Sequence, residues 1–152
     1  MSSKEAEQLI KGFEGGTWPS GKWTHFAHFV MALWYTYYYP IAEARKLIKH
    51  GIKKYNEAVG GKNTEGSGYH ETITELYIQI VIGYQLSFIG EYDFDVLLSN
   101  LEAQPFIQKE FPFTFYSKEL LMSKEARAGW VEPDVRPITL FDTEAKVLNA
   151  AS

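Results

Sequence analysis

Two histidines three residues apart in an apolar run, His25 and His28 in WTHFAHF, and a third beside a carboxylate, His70 with Glu71 in YHETIT, are the residues best suited to chemistry. On a helix a spacing of three keeps both rings on one face, where they can reach a common point. Ala32, one turn on, leaves space beside them. Two imidazoles from one helix, joined by groups from another, are a usual way for a helical bundle to hold a metal. The plainer reading of HxxH is a pair of core histidines with ordinary hydrogen-bond partners. His70 moves the balance toward metal, because it heads the inward stripe of another long helical segment. An unpaired ring nitrogen in an apolar setting costs about 1–3 kcal/mol, and one shared cation would satisfy three rings together. With no cysteine in the chain, the ligands can only be imidazole and carboxylate. The expected site is thus His25, His28 and His70 around a divalent transition metal. Zn, Fe, Ni and Mn all suit such a set.

Glu71 has several readings. It can be a fourth ligand, an acceptor orienting an imidazole N–H, or a general base beside metal-bound water. It can equally be an acidic residue in the first turn of a helix, complementing the helix dipole. Thr74, one turn beyond His70, either hydrogen-bonds within the site or bonds its own backbone. Tyr35 in YTYYY and Tyr77 are candidate pocket residues, against the alternative of rings in the core with hydroxyls at the surface. In ARAGWVEPD, Arg127 and Trp130 either fold over the mouth of a site, with Arg127 meeting an anionic group, or simply close the core. His50 lies among Glu43, Lys46, Lys53 and Lys54 and reads as solvated.

The elements that must position these groups are helical. Apolar spacing predicts a first helix with Ala6, Leu9, Ile10 and Phe13 inward, capped by Ser3 and stopped by Gly15-Gly16. A second, apolar almost all round, runs from Trp23 or Thr24 to Tyr39, with Thr24 as its cap. Pro40 opens a third, with a stripe of Ile41, Ala44, Leu47, Ile48, Ile52, Tyr55 and Val59. GGKNTEGSG then reads as the most flexible segment. A fourth helix follows from Tyr69 to Ile89, carrying His70, Ile73, Leu76, Tyr77, Ile80 and Tyr84 inward and ending at Gly90. The β-branched residues of LYIQIVIGY leave a strand as the competing reading there. A short helix is expected at DVLLSNLEAQ and others near Ser117 and Ser123, before an extended, proline-punctuated tail. The expected architecture is all-α: one domain over residues 1–152, with its core at about 4–138, a tail at 139–152, and four main helices plus short C-terminal ones.

Composition narrows the function classes. The 152 residues suffice for one core, at 45% hydrophobic and 16% aromatic. Net charge is −4, with Lys and Arg scattered, which disfavours a nucleic-acid partner. No apolar run is long enough to span a bilayer, so no membrane partner is expected. The N-terminal MSSKEAEQLIKGFEGG lacks the pattern of a signal peptide, and a cytoplasmic protein is the expectation. No GxGxxG, phosphate loop, HExxH, GxSxG or EF-hand pattern occurs.

Taken together, FEGGTWPSGKWTHFAHFVMALWY, YNEAVGGKNTEGSGYHETIT and SKELLMSKEARAGWVEPDVRPI resemble a family of small bacterial proteins of uncharacterised function that carry WTHxxH, YHETIT and GWVEPD. The resemblance spans roughly residues 9–138 and places its emphasis on His25, His28, His70 and Glu71. The histidine pattern is also loosely similar to the three-histidine sites of DinB-like helical metal proteins.

Three functions follow from these readings. The first is a metal-dependent enzyme acting on a small molecule, in which hydrolysis and dioxygen chemistry fit equally. The second is a metal-free module whose histidines and tyrosines line a pocket for a small ligand. The third is a structural protein that forms a homodimer through an aromatic helix face.

Overall fold

The computed structural model describes residues 1–88 and 92–139. Over these residues the chain is all-α, with seven α-helices and no strand. The first is α1, Ser3–Gly15, whose cap is Ser2: its hydroxyl accepts from the Glu5 amide while the Glu5 carboxylate returns to Ser2. Ser3, expected as the cap, is the first helical residue, so the boundary shifts by one position. Gly16 closes α1 in the left-handed conformation, at φ 69°.

Thr24 caps α2, His25–Tyr38, by accepting from the Ala27 amide. Pro40 precedes α3, Ile41–Ala58, and His70 caps α4, Glu71–Leu86. The expected stop at Gly90 and the tail from residue 140 lie outside the described residues. Three shorter helices follow: α5, Phe94–Leu101; α6, Lys118–Leu121; and α7, Lys124–Ala128. Asp93, Ser117 and Ser123 cap them in turn.

The central helix is α2, which packs against α1, α3, α4 and α5. Its Phe29, Val30 and Leu33 are fully buried, as an apolar surface on nearly every side requires. The segment LYIQIVIGY is helical for a related reason. Leu76, Ile78, Ile80 and Val81 are all fully buried, so the partial alternation that suggested a strand is a helix covered on more than one side. Buried residues of α1 through α6 form one contiguous core. Two of the stripe residues of α3, Ile41 and Val59, fall at its ends and are exposed.

Between α1 and α3 the packing leaves no room for a side chain at Gly51. A Cβ there would stand 2.7 Å from the Phe13 ring. That ring cannot retreat, because it is 2% exposed, stacks on Trp23 at 5.1 Å and meets Tyr55 at 5.7 Å. Alanine would improve helix propensity by about 1 kcal/mol. Overpacking costs about 1–3 kcal/mol and exceeds it. Gly51→Ala should therefore lower the urea midpoint, by up to roughly 2 kcal/mol in stability; a raised midpoint would show that Phe13 has slack.

Candidate functional site

The N-terminal halves of α2 and α4 face α3 across a cavity of about 690 Å³. Its apolar wall includes Trp23, Met31, Ala32, Ile48, Ile52, Ile73 and Ile78. The polar groups that converge on it include His25, His28, His70, Thr74, Tyr77 and Asn56. Val59 and Met122, 40% and 49% exposed, mark its mouth together with the 61–69 loop and Arg127. The three histidines separated along the chain are therefore brought to one cavity. Their ring nitrogens have different commitments.

His70 is buried at 7% exposure and fully engaged. Its Nδ1 accepts from the Ile73 amide at 3.1 Å, and its Nε2 lies 2.7 Å from the Leu121 carbonyl. A carbonyl only accepts, so the proton sits on Nε2 and the lone pair on Nδ1. One neutral tautomer satisfies both contacts and leaves no lone pair for a metal.

His28 is arranged the opposite way. Its Nδ1 donates to the Thr24 carbonyl at 2.7 Å, which leaves the Nε2 lone pair to accept. Trp23 covers the ring, with centroids 4.1 Å apart. His25 packs edge-on to Phe29 and Tyr77, with Nδ1 3.3 Å from the Tyr77 hydroxyl. Its Nε2 is buried beside the Ile107 backbone but makes no hydrogen bond of acceptable geometry. One polar atom of that ring is thus left over.

Burial pushes all three imidazoles below their ordinary range. At His28 the Thr24 carbonyl opposes the shift only in part; at His25 and His70 nearby Lys109 and Arg127, respectively, add to it. The Tyr77 phenol is pushed up to about 12 by the same desolvation. The histidines and Tyr77 therefore face the cavity as neutral rings near neutral pH.

Glu71 does not line the cavity. Its carboxylate is 2.8 Å from the Lys49 ammonium and accepts from the Tyr69 hydroxyl at 2.7 Å. Lys49 also reaches Glu75 at 3.0 Å, and Glu75 accepts from the Arg45 guanidinium at 3.1 Å. Two cations and two carboxylates thus form a chain between α3 and α4. Among the described residues no group of three or more His, Asp or Glu is arranged to hold a metal ion.

Of the other expected pocket residues, Thr74, Tyr77 and Arg127 line the cavity. Tyr35 and Trp130 do not: the Tyr35 hydroxyl donates to Glu14 at 2.6 Å, and Trp130 packs edge-on to Tyr116 while its Nε1 donates to Glu132. The GWVEPD stretch is held across the start of α4, where Thr72 donates to the Gly129 carbonyl and Tyr116 to that of Val131. His50 is exposed and away from the cavity.

Sequence reasoning passed over the loop after α3. GGKNTEGSG reads as flexible, yet Asn63 organises it: its Oδ1 accepts from the Asn56 side chain and the Tyr69 amide, and its Nδ2 donates to the Lys53 carbonyl. Gly68, at φ 79°, sits where a Cβ would fall 2.3 Å from the Lys62 carbonyl. Only glycine fits. The available signal was an asparagine inside a glycine-rich turn, a residue that bonds neighbouring backbone readily.

No protein-family model matches the chain, and neither a curated protein nor a solved structure resembles it closely enough to count as a match. The geometry alone therefore carries the functional argument.

Two expected outcomes follow from His70. Alanine there removes a helix cap, worth about 1 kcal/mol, and strands the Leu121 carbonyl, at a cost of about 1–3 kcal/mol. His70→Asn restores the cap only and should recover the smaller part in denaturant titrations. The pH dependence has a fixed sign. The unfolded chain protonates His25, His28 and His70 near pH 6.5, the folded chain only below that, so acid favours unfolding. Stability is full above this range and falls as pH drops through it, so the urea midpoint should be lower at about pH 5.5 than at about pH 7.5. A flat profile would mean that the rings are not buried neutral.

Proposed function

We propose that this chain binds a small organic molecule in the cavity between α2, α3 and α4, with the histidines acting as hydrogen-bonding groups. The observation that carries the reading is the cavity itself: about 690 Å³, mostly apolar in its walls, with a few polar atoms converging on it. Sites that enclose most of a small molecule have this size and this mixture. The His28 Nε2 lone pair is the best placed acceptor, since its other nitrogen is locked by Thr24. The Tyr77 hydroxyl and Thr74 supply further polar contacts, and apolar surface removed from water supplies most of the binding free energy.

A second reading keeps the metal. It is favoured by the Nε2 lone pair of His28 and by His25 lining the same cavity, a pair that could hold a divalent transition metal with the remaining positions left to water or substrate. His70 and Glu71 are not needed in that version, because both are engaged elsewhere. Such a site would polarise a substrate oxygen within the same cavity.

One set of measurements tests both readings. A panel of small amphipathic molecules should raise the melting temperature of the protein, because a ligand that binds only the folded state stabilises it by mass action. Ala32→Phe, which fills the cavity from α2, should abolish those shifts; shifts that persist in it would place binding elsewhere. For the metal, elemental analysis of untagged protein after reconstitution with Zn, Fe, Ni and Mn should find about one equivalent, lost in His28→Ala and kept in His50→Ala. Less than about a tenth of an equivalent removes the second reading and leaves the first standing.

A further inference from the structure

The charges around the cavity are not those of the chain as a whole. The protein has 19 acidic and 15 basic residues, yet among the described residues no Asp or Glu lines the cavity, whereas Lys62 and Arg127 both do. Three carboxylates on the flanking elements have basic partners: Glu71 and Glu75 are met by Lys49 and Arg45, and Glu65 stands 3.8 Å from Lys124. Arg127 is held at the mouth by donating Nη1 to the Gly68 carbonyl at 2.9 Å. Only one edge of its guanidinium is used there, and the planar group carries further donors. Lys62 belongs to the loop that Asn63 and Gly68 hold in shape, so its backbone is placed by the same turn while its side chain is exposed.

The backbone adds to this bias. Both α2 and α4 begin at the cavity, through His25 and His28 and through His70, Ile73 and Thr74. Helix starts carry partial positive charge. One amide at each start is already taken by its cap, Thr24 or His70, and at α4 the acidic residue of the first turn, Glu71, pairs with Lys49 and does not line the cavity.

From this arrangement we infer the class of occupant: an amphipathic monocarboxylate, its aliphatic or aromatic body among Met31, Ile48, Ile52 and Ile73 and its carboxylate toward Lys62 and Arg127. The inference rests on the small-molecule reading of the cavity. A carboxylate pairs with a guanidinium in two parallel hydrogen bonds, which fixes its orientation as well as its charge. A cationic ligand would meet two positive side chains, with no carboxylate among the described lining residues to receive it. A neutral one would leave the charged donors unused.

Calorimetric titration of the full chain with matched probes decides the matter. The acids run from butanoate to decanoate and include phenylacetate; each is compared with its amide and its amine, at about pH 8 where the histidines are neutral. The tightest acid should bind about tenfold better than its amide, the amine should not bind, and added salt should weaken the acid alone. Lys62→Gln should cost the acid about tenfold and leave the amide unchanged. Arg127→Lys tests the second cation while keeping its charge and should also weaken the acid.

If amide and acid bind alike and Ala32→Phe removes both, the choice of anion is wrong and the cavity reading survives. If neither acid, amide nor amine binds at any chain length, the monocarboxylate and the small-molecule reading fall together. Tighter binding of the amine overturns the inference outright.

Discussion

A neutral imidazole ties the start of α4 to the C-terminal segment. His70 uses one nitrogen to start α4 and the other to hold the end of α6, residues 51 positions apart in the chain. Each contact demands a particular protonation: Nδ1 must be bare and Nε2 must carry hydrogen. Protonation would put a hydrogen on Nδ1 opposite the Ile73 amide, turning an acceptor into a second donor. The capping of a main helix and the attachment of the C-terminal segment are therefore one chemical condition. Thr72, two residues on, reinforces it by donating to the Gly129 carbonyl and accepting from the Val131 amide.

With α4 so anchored, the cavity follows from how its walls are made. On one side, Trp23 ahead of α2, Phe13 of α1 and Tyr55 of α3 pack into an aromatic layer, with the Tyr55 hydroxyl tied to the Trp18 carbonyl. On the other, Phe29 and Tyr77 stack at 4.5 Å. Aromatic side chains lose few rotamers on packing, so such walls keep their shape whether or not the space between them is filled. The loop over the mouth needs more help. Ordering its backbone costs about 1–2 kcal/mol per residue, and Asn63 offsets part of that with its side-chain bonds.

The helices were legible because their signals are local. Thr24 before an apolar run and Ser117 and Ser123 just before α6 and α7 mark helix starts by accepting from an amide three residues on, and Pro40 marks one through its fixed φ. That His25, His28 and His70 share a cavity was also readable, since facing stripes on two long helices converge on one core. The use of each nitrogen was not. The Leu121 carbonyl that claims His70, and the Lys49 ammonium that claims Glu71, come from segments whose approach depends on tertiary packing. His70 also sits at a boundary: an inward residue in mid-helix offers its ring to the core, whereas a cap turns it back onto its own backbone. The loop was misread for a similar reason, because glycine and asparagine suit a flexible linker and a tightly bonded turn equally well.

The contact between Trp23 and His28 makes the cavity observable by light. The indole lines the same space as the ring it covers, so its emission depends on what occupies that space and on the charge of its neighbour. Three other tryptophans contribute to the total signal, but none of them lines the cavity. Nature has thereby placed an intrinsic fluorophore at the one position where occupancy, acidity and the integrity of the aromatic wall can all be followed without a label.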